Sequence, residues 1–368
     1  MQPFEYLDSM TQSSTLFEQG EENSLRCLAC AHHCLLKPGR RGICGVRFNR
    51  EGKLMVPQGY AAGLQVDPIE KKPFNHFLPG AEVLTFGMLG CNFHCSFCQN
   101  WFSSQALRDP CAEEAVHTVR RISAEKMVQT ALEYGAKAIA SSYNEPLIST
   151  EWAVEVFKLA KQHGLKTAYV SNGYASEQVL EYLRPWLDGY KIDLKSMQDA
   201  EYRKMGGTLQ PVLDTIKRVH ELGLWLEVVT LVIPGLNDSP EELWEAGRYL
   251  RSISPDIPWH VTAYHPDYKY MDAPPTPAAT LQRAAEIGQE AGLRYVYAGN
   301  LPGRVGSLED THCPQCAKTL IARRGYRLTE YNITGEGTCA FCGTPIAGVW
   351  EGNPVKSHHG SGYPQPLY

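Results

Sequence analysis

Val83-Leu84-Thr85-Phe86, followed by Gly90-Cys91-Asn92-Phe93-His94-Cys95-Ser96-Phe97-Cys98-Gln99-Asn100, is the stretch from which the rest of the chain can be read. The apolar run reads as a buried strand, and the loop that leaves it carries three cysteines spaced C-x3-C-x2-C. A [4Fe-4S] cube has four irons and takes thiolates as its usual protein ligands, so three cysteines leave one iron without a protein ligand. Such a vacancy is where a substrate can bind, as an open catalytic zinc site differs from a closed structural one. The competing reading of these residues is a three-cysteine zinc site completed by His94 or a remote ligand.

Downstream, strands alternate with helices. Residues 83–87, 136–141, 166–170, 190–194, 226–232, 260–264 and a short run at 293–298 read as strands. The helices between them are bounded by Ser123 and Gly135, by Gly164 after residues 151–163, by Ser176, by Leu222 after Pro211, and by Ser239-Pro240, with a last helix over 276–291. This order implies a parallel sheet with right-handed crossovers, closed or partly closed into a barrel. A parallel barrel places its chemistry at the C-terminal ends of its strands. There the chain is polar: Ser142-Tyr143-Asn144-Glu145-Pro146, Ser171-Asn172-Gly173, Asp193-Leu194-Lys195, Pro234-Gly235-Leu236-Asn237 and His265-Pro266-Asp267-Tyr268. Facing one cysteine loop, they make a convergent site.

The chain has 368 residues, more than one typical domain, with 43% hydrophobic and 20% charged residues, as in a soluble globular protein. A net charge of −5 gives no overall footprint for nucleic acid or an anionic membrane. The N-terminus lacks the basic start and apolar stretch of a secretory signal, and no segment is long and apolar enough to span a bilayer, so a cytoplasmic location is expected.

Twelve cysteines in a reducing compartment argue for metal ligation over disulfides. Cys27, Cys30, Cys34 and Cys44 form a compact set suited to structural zinc or to an auxiliary iron-sulfur cluster. Cys313, Cys316, Cys339 and Cys342, on two knuckles separated by hairpin-like segments, follow a zinc-ribbon pattern expected to hold structural zinc. Four units are expected: an arm and four-cysteine module over residues 1–80, a barrel over 81–300, a ribbon over 301–350 and a flexible tail over 351–368. The proline-rich segment 67–80, with Lys71, Lys72 and His76, reads as a solvated linker into the barrel; lining the mouth of the active site is its sharper alternative.

Taken together, the three-cysteine motif with Gln99-Asn100, Tyr143-Asn144-Glu145-Pro146, Ser171-Asn172-Gly173, Asp193-Leu194-Lys195 and Ile233-Pro234-Gly235-Leu236-Asn237-Asp238 resembles the pyruvate formate-lyase activating enzyme branch of the radical S-adenosylmethionine (SAM) superfamily. More narrowly, residues 27–47, 67–80, Pro258-Trp259-His260 and Tyr297-Ala298-Gly299-Asn300 are similar to the radical enzyme of the AmmeMemoRadiSam system. The resemblance implies a partial (β/α)6 TIM-like barrel. It also implies reductive cleavage of SAM at a [4Fe-4S] cluster held by Cys91, Cys95 and Cys98, and hydrogen abstraction by a 5'-deoxyadenosyl radical. Glu145 would receive the SAM ammonium, Ser171 and Asn172 the methionyl part or ribose, and Lys195 the carboxylate, with Asp193 holding that lysine or a ribose hydroxyl. His265 is a candidate for contact with cofactor or substrate. An external electron donor of flavodoxin or ferredoxin type and AmmeMemo-type partner proteins are implied as well. One departure is Val170, where formate-lyase activators carry an acidic residue; the two terminal four-cysteine modules, which those activators lack, are another. Activation of a glycyl-radical-type partner therefore stands as an alternative function, as does an electron-transfer or metal-binding adaptor without SAM chemistry.

Overall fold

The computed structural model describes residues 3–351 and 365–367. Seven strands run parallel in one open sheet: β2 (Glu82–Gly87), β3 (Ala138–Ser141), β4 (Lys166–Ser171), β5 (Gly189–Asp193), β6 (Trp225–Val232), β7 (Trp259–Ala263) and β8 (Val296–Gly299), each paired with the next in sequence. Before them, β1 (Gly63–Pro68) pairs antiparallel with β2. The connecting helices begin where the chain signals a start. Ser123 accepts from the Lys126 amide ahead of α1 (Ala124–Glu133), and Ser176 accepts from the Val179 amide ahead of α3 (Glu177–Leu183). Between them lies α2 (Thr150–Gln162). Later come α4 (Gln210–Glu221), α5 (Pro240–Ile253), which Ser239 caps, and α6 (Ala278–Glu290). Their apolar faces bury against the sheet; in α2, Trp152, Ala153, Val156, Phe157 and Ala160 are all buried.

Segment 67–80 is neither a solvated linker nor part of the active-site mouth. Phe74, Phe77 and His76 are fully buried at the N-terminal ends of the parallel strands. The sheet leaves room for them. Ala138 and Ala140, two apart and so on one face of β3, join Ala168 in the cluster that holds Ile69, Phe74 and Phe77. The Phe77 ring also lies 3.0 Å from where a side chain at Gly189 would begin. The Glu227 carboxylate on β6 pins the plug, accepting from the Asn75 and His76 amides at 2.9 Å each and from Trp225 Nε1 at 2.9 Å. His260 Nε2 lies 2.7 Å from the same carboxylate. Burial alone would raise the Glu227 pKa, but these partners, His260 foremost, hold it below the usual carboxylate value.

The C-terminal ribbon, β9 (Thr311–His312), β10 (Thr319–Arg324) and β11 (Arg327–Tyr331), sits beneath that plug. Arg323 donates to the Asn75 carbonyl at 2.9 Å, Tyr297 Oη and Thr311 Oγ1 are 2.8 Å apart, and His76 Nδ1 lies 2.7 Å from the Ala347 carbonyl. The short strand β12 (Gln365–Pro366) pairs with β1 at the sheet edge. Most of the tail expected over 351–368 lies outside the described residues.

The N-terminal segment is ordered at the opposite, C-terminal end of the strands. A helix over Pro3–Asp8 precedes two small antiparallel sheets, one of Thr11–Ser13, Lys53–Pro57 and Phe48–Arg50, the other of Phe17–Gln19, Leu25–Cys27 and Leu35–Leu36. Buried Arg47 reaches into the rim after β3, donating to both Glu151 carboxylate oxygens (2.7 and 2.8 Å) and to the Ile148 carbonyl (3.2 Å).

Candidate active site and metal centres

The three-cysteine loop leaves the C-terminal end of β2 and is held from several sides. Gly90 has φ +92°, and a side chain there would meet the Cys44 carbonyl at 2.7 Å. Arg108 donates to the Cys91 carbonyl (2.7 Å), to the Phe93 carbonyl (2.8 Å) and to the Ile43 carbonyl, fixing the loop against the N-terminal segment. His94, the candidate fourth zinc ligand, is exposed, and its ring packs on Gly206. Burial pushes all three thiols up, Cys95 to about 12, and Cys91 is raised further by the nearby Glu145 charge. Thiolates at this loop therefore need a cation beside them, which suits cluster irons. The sulfurs also have polar neighbours: the Phe93 amide donates to Cys91 Sγ at 3.3 Å, and Ser104 Oγ is 3.3 Å from Cys98 Sγ.

Glu145, Ser171 and Asn172 come together on the Cys91 side. The buried Glu145 carboxylate accepts from Ser171 Oγ (2.7 Å), the Asn172 amide (2.8 Å) and the Leu147 amide (3.0 Å). Its pKa is raised to about 7, because burial outweighs those three bonds and the Asp193 charge adds to it. Asp193 and Lys195 meet on the Cys95 and Cys98 side. Lys195 Nζ lies 3.3 Å from Asp193 Oδ2, and Lys191 pairs with Oδ1 of the same carboxylate. Burial opposes the charge on both groups. Lys191 and Lys195 nevertheless hold the Asp193 carboxyl low, while Asp193 and the neighbouring cysteines raise Lys195. A carboxylate on one side of the loop and an ammonium on the other form a pattern complementary to a free α-amino acid group.

The sixth candidate, His265, is exposed just after β7, its Nδ1 3.4 Å from the adjacent Pro266 carbonyl, in a loop whose Lys269 amide donates to the Ser96 carbonyl of the cysteine loop at 3.0 Å. Lys71 and Lys72 are ion-paired to Asp67 at 2.7 and 2.6 Å. Tyr143, at φ +70° beside Asn144-Glu145, donates to Asp67 Oδ2 at 2.9 Å, so this network braces the Glu145 loop from below.

Sequence reading gave no role to Asn92, which is fully buried. Its Oδ1 accepts from Asn172 Nδ2 at 2.7 Å, and the Asn92 carbonyl lies 3.0 Å from His32 Nε2. Its position inside the cysteine motif was the available signal. Arg108 offered none, because a lone arginine ten residues past a motif looks like any surface cation.

The four C-terminal cysteines close tightly. Their sulfurs all lie within 4.8 Å of one another, with Cys313–Cys342 at 3.6 Å and Cys316–Cys339 at 3.8 Å. Four sulfurs placed ~2.3 Å from one tetrahedral ion stand about 3.8 Å apart.

Residues 86–248 match the model of the radical SAM superfamily. The chain is also similar to a pyruvate formate-lyase 1-activating enzyme of Escherichia coli K12, 21% identical over 239 residues covering 60% of this chain and 93% of that one. It belongs to the radical SAM superfamily, in the branch of the pyruvate formate-lyase activating enzymes. An uncharacterised protein of Methanocaldococcus jannaschii is 36% identical to this radical SAM protein over 338 residues, 91% of this chain and 98% of that one. A domain of a pyruvate formate-lyase activating enzyme from Bacteroides vulgatus aligns with a TM-score of 0.40 at 20% identity, covering 45% of this chain and all of that one. As a radical SAM superfamily member the protein is an enzyme that binds metal, and among the described residues no helix is long and apolar enough to cross a membrane.

Proposed function

We propose that this enzyme cleaves SAM reductively and uses the resulting radical to abstract hydrogen from a substrate still to be identified. The observation that carries the reading is the placement of Glu145 and Lys195 on either side of the loop of Cys91, Cys95 and Cys98. A [4Fe-4S] cluster held by Cys91, Cys95 and Cys98 would supply one electron to the sulfonium and offer an iron without a protein ligand to SAM. The chain's own part is recognition. Glu145 accepts the ammonium, Lys195 neutralises the carboxylate with Asp193 fixing its direction, and Ser171 and Asn172 hold the methionyl part or ribose. The loop is dry enough for these charges to act strongly. We read the sheet as a partial TIM-like barrel of six strand–helix units with its site at the C-terminal rim, the Asp67–Lys72–Tyr143 network and the plug supporting it from below.

A reductant of flavodoxin or ferredoxin type would supply the electron. A protein substrate is one reading, since the E. coli relative is named for activating pyruvate formate-lyase. The terminal cysteine modules fall outside the matched residues 86–248 and favour a distinct partner, AmmeMemo-type proteins being the candidates that the sequence resemblance suggests. The test is anaerobic reconstitution with iron, sulfide and reductant, followed by chromatography for 5'-deoxyadenosine and methionine. Cleavage by the native protein and none by Cys95→Ala is the expected result; an intact, reducible cluster that leaves SAM untouched would defeat the proposal.

A further inference from the structure

We propose that Cys27, Cys30, Cys34 and Cys44 bind a second [4Fe-4S] cluster, ligated at all four irons, that passes electrons to the centre at Cys91, Cys95 and Cys98. This rests on the radical SAM reading of the three-cysteine loop and adds to it the route by which that loop is reduced.

The first argument is place. The N-terminal set lies on the same rim as the three-cysteine loop and in contact with it. The Cys44 carbonyl lies against Gly90, Arg108 joins the Ile43, Cys91 and Phe93 carbonyls, and the Ala31 amide donates to the Tyr174 carbonyl at 3.1 Å beyond Asn172. The C-terminal set sits beneath the plug at the other end of the sheet. β6 between the two ends is eight residues long, on the order of 26 Å at strand rise.

The second argument is the spread of the sulfurs. The Cys27 amide donates to the Cys34 carbonyl at 3.0 Å, and Cys30 and Cys44 lie near Cys27, so the set converges. Yet among the described residues only the C-terminal four gather all their ligand atoms within 4.8 Å. Neither the N-terminal four nor Cys91, Cys95 and Cys98 form so tight a group among the described residues. Thiolates that each hold a separate iron on the corners of a cube stand farther apart than thiolates around one ion.

The third argument is Asn92. Its side chain lies between the two sets, with no exposed surface, and its Nδ2 has no hydrogen-bond acceptor. That amide sits beside Cys30. A buried donor left without an acceptor is costly, and a cluster-bound thiolate at Cys30 would satisfy it. The residue following a ligand of one centre thus abuts a ligand of the other, and His32 touches the same Asn92 backbone.

The redox step balances with single electrons. A low-potential one-electron donor protein of the flavodoxin or ferredoxin class is oxidised and the N-terminal cluster reduced. That cluster then returns to its oxidised state as the three-cysteine centre gains the electron, and no bond to cysteine forms or breaks.

The test uses the full chain reconstituted anaerobically. Metal and sulfide analysis with Mössbauer spectroscopy should find about eight irons, all in [4Fe-4S] form, and about one zinc per chain. About four irons and two zincs would overturn the proposal, even if SAM cleavage is intact. The Cys91→Ala/Cys95→Ala/Cys98→Ala variant should retain a reducible cluster with its own electron paramagnetic resonance signal. The Cys27→Ala/Cys30→Ala/Cys34→Ala variant should lose reduction by flavodoxin while its remaining cluster still responds to dithionite. Equal reduction by flavodoxin with and without the N-terminal cysteines would overturn the relay. Two intact clusters with no SAM cleavage would instead count against the proposed function.

Discussion

Glu145 is a carboxylate held where water does not reach it, and its three hydrogen bonds do not fully offset that burial. With its pKa raised from 4.5 to about 7, the folded protein without SAM binds a proton here that the unfolded chain releases near pH 4.5. The linkage sign follows: this group's contribution makes the fold less stable as pH rises from about 4.5 to about 7, and more stable as pH falls through that window. SAM binding runs the other way, because the proposed ammonium contact needs the ionised form. Affinity for SAM should therefore weaken about tenfold for each pH unit below about 7, as measured by equilibrium dialysis on reconstituted enzyme. Glu145→Gln should bind SAM weakly and without that slope. A wild-type affinity that stays flat from about pH 5 to about pH 8, roughly two units below and one above the Glu145 value of about 7, would remove Glu145 from the ammonium site.

The element that most changes the picture is the N-terminal segment, which the sequence presents as a knuckle and an arm. Among the contacts that dock it is one buried ion pair, Arg47 with Glu151 at the start of α2, where the Arg47 charge and its two hydrogen bonds keep the Glu151 carboxyl low despite burial. Removing one partner leaves the other charge buried alone. Arg47→Met should cost about 3–5 kcal/mol in denaturant unfolding, with Arg47→Met/Glu151→Leu recovering much of it. Hydrogen exchange should show the loss first in residues 14–56. If Arg47→Met unfolds like the wild type, the pair does not dock this segment. The strand–helix alternation was legible because each element announces itself locally, through Ser123, Ser176 and Ser239 at helix starts and short apolar runs for strands. The grouping of Glu145 with Ser171 and Asn172, and of Asp193 with Lys195, was legible because the fold places strand ends together. Segment 67–80 was not, since prolines and paired charges mark a surface loop unless one knows that Ala138, Ala140, Ala168 and Gly189 leave a hollow for Phe74 and Phe77. Arg47–Glu151 and Glu227–His260 were equally hidden: each links residues far apart in sequence, and no local pattern encodes such a pair.

At the scale of the whole molecule, the two four-cysteine sets occupy opposite ends of one parallel sheet, and their surroundings differ accordingly. The C-terminal set lies at the end away from the proposed SAM site. The ribbon that carries it latches the floor, through Arg323 to Asn75, Thr311 to Tyr297 and Ala347 to His76. Thr344, whose hydroxyl is 3.3 Å from Cys342 Sγ and whose backbone also bonds it, lowers that thiol to about 6, so a thiolate is available at neutral pH. Sulfurs at 3.6 and 3.8 Å suit a tetrahedral zinc, whose bonds would add to the small apolar cluster of Leu320, Ile321, Leu328 and Ile346. A ribbon whose role is to hold the plug in place should transmit its loss as instability and not as a redox defect. Cys339→Ser should therefore release zinc and lower Tm by roughly 3–6 °C, corresponding to about 2–5 kcal/mol. Hydrogen exchange should rise in residues 69–81 as well as in the ribbon, while iron content and SAM cleavage below the new Tm remain those of the wild type. Loss of cleavage at unchanged Tm would show instead that the ribbon metal serves the chemistry at the far rim, and the division between a structural end and a redox end would have to be abandoned.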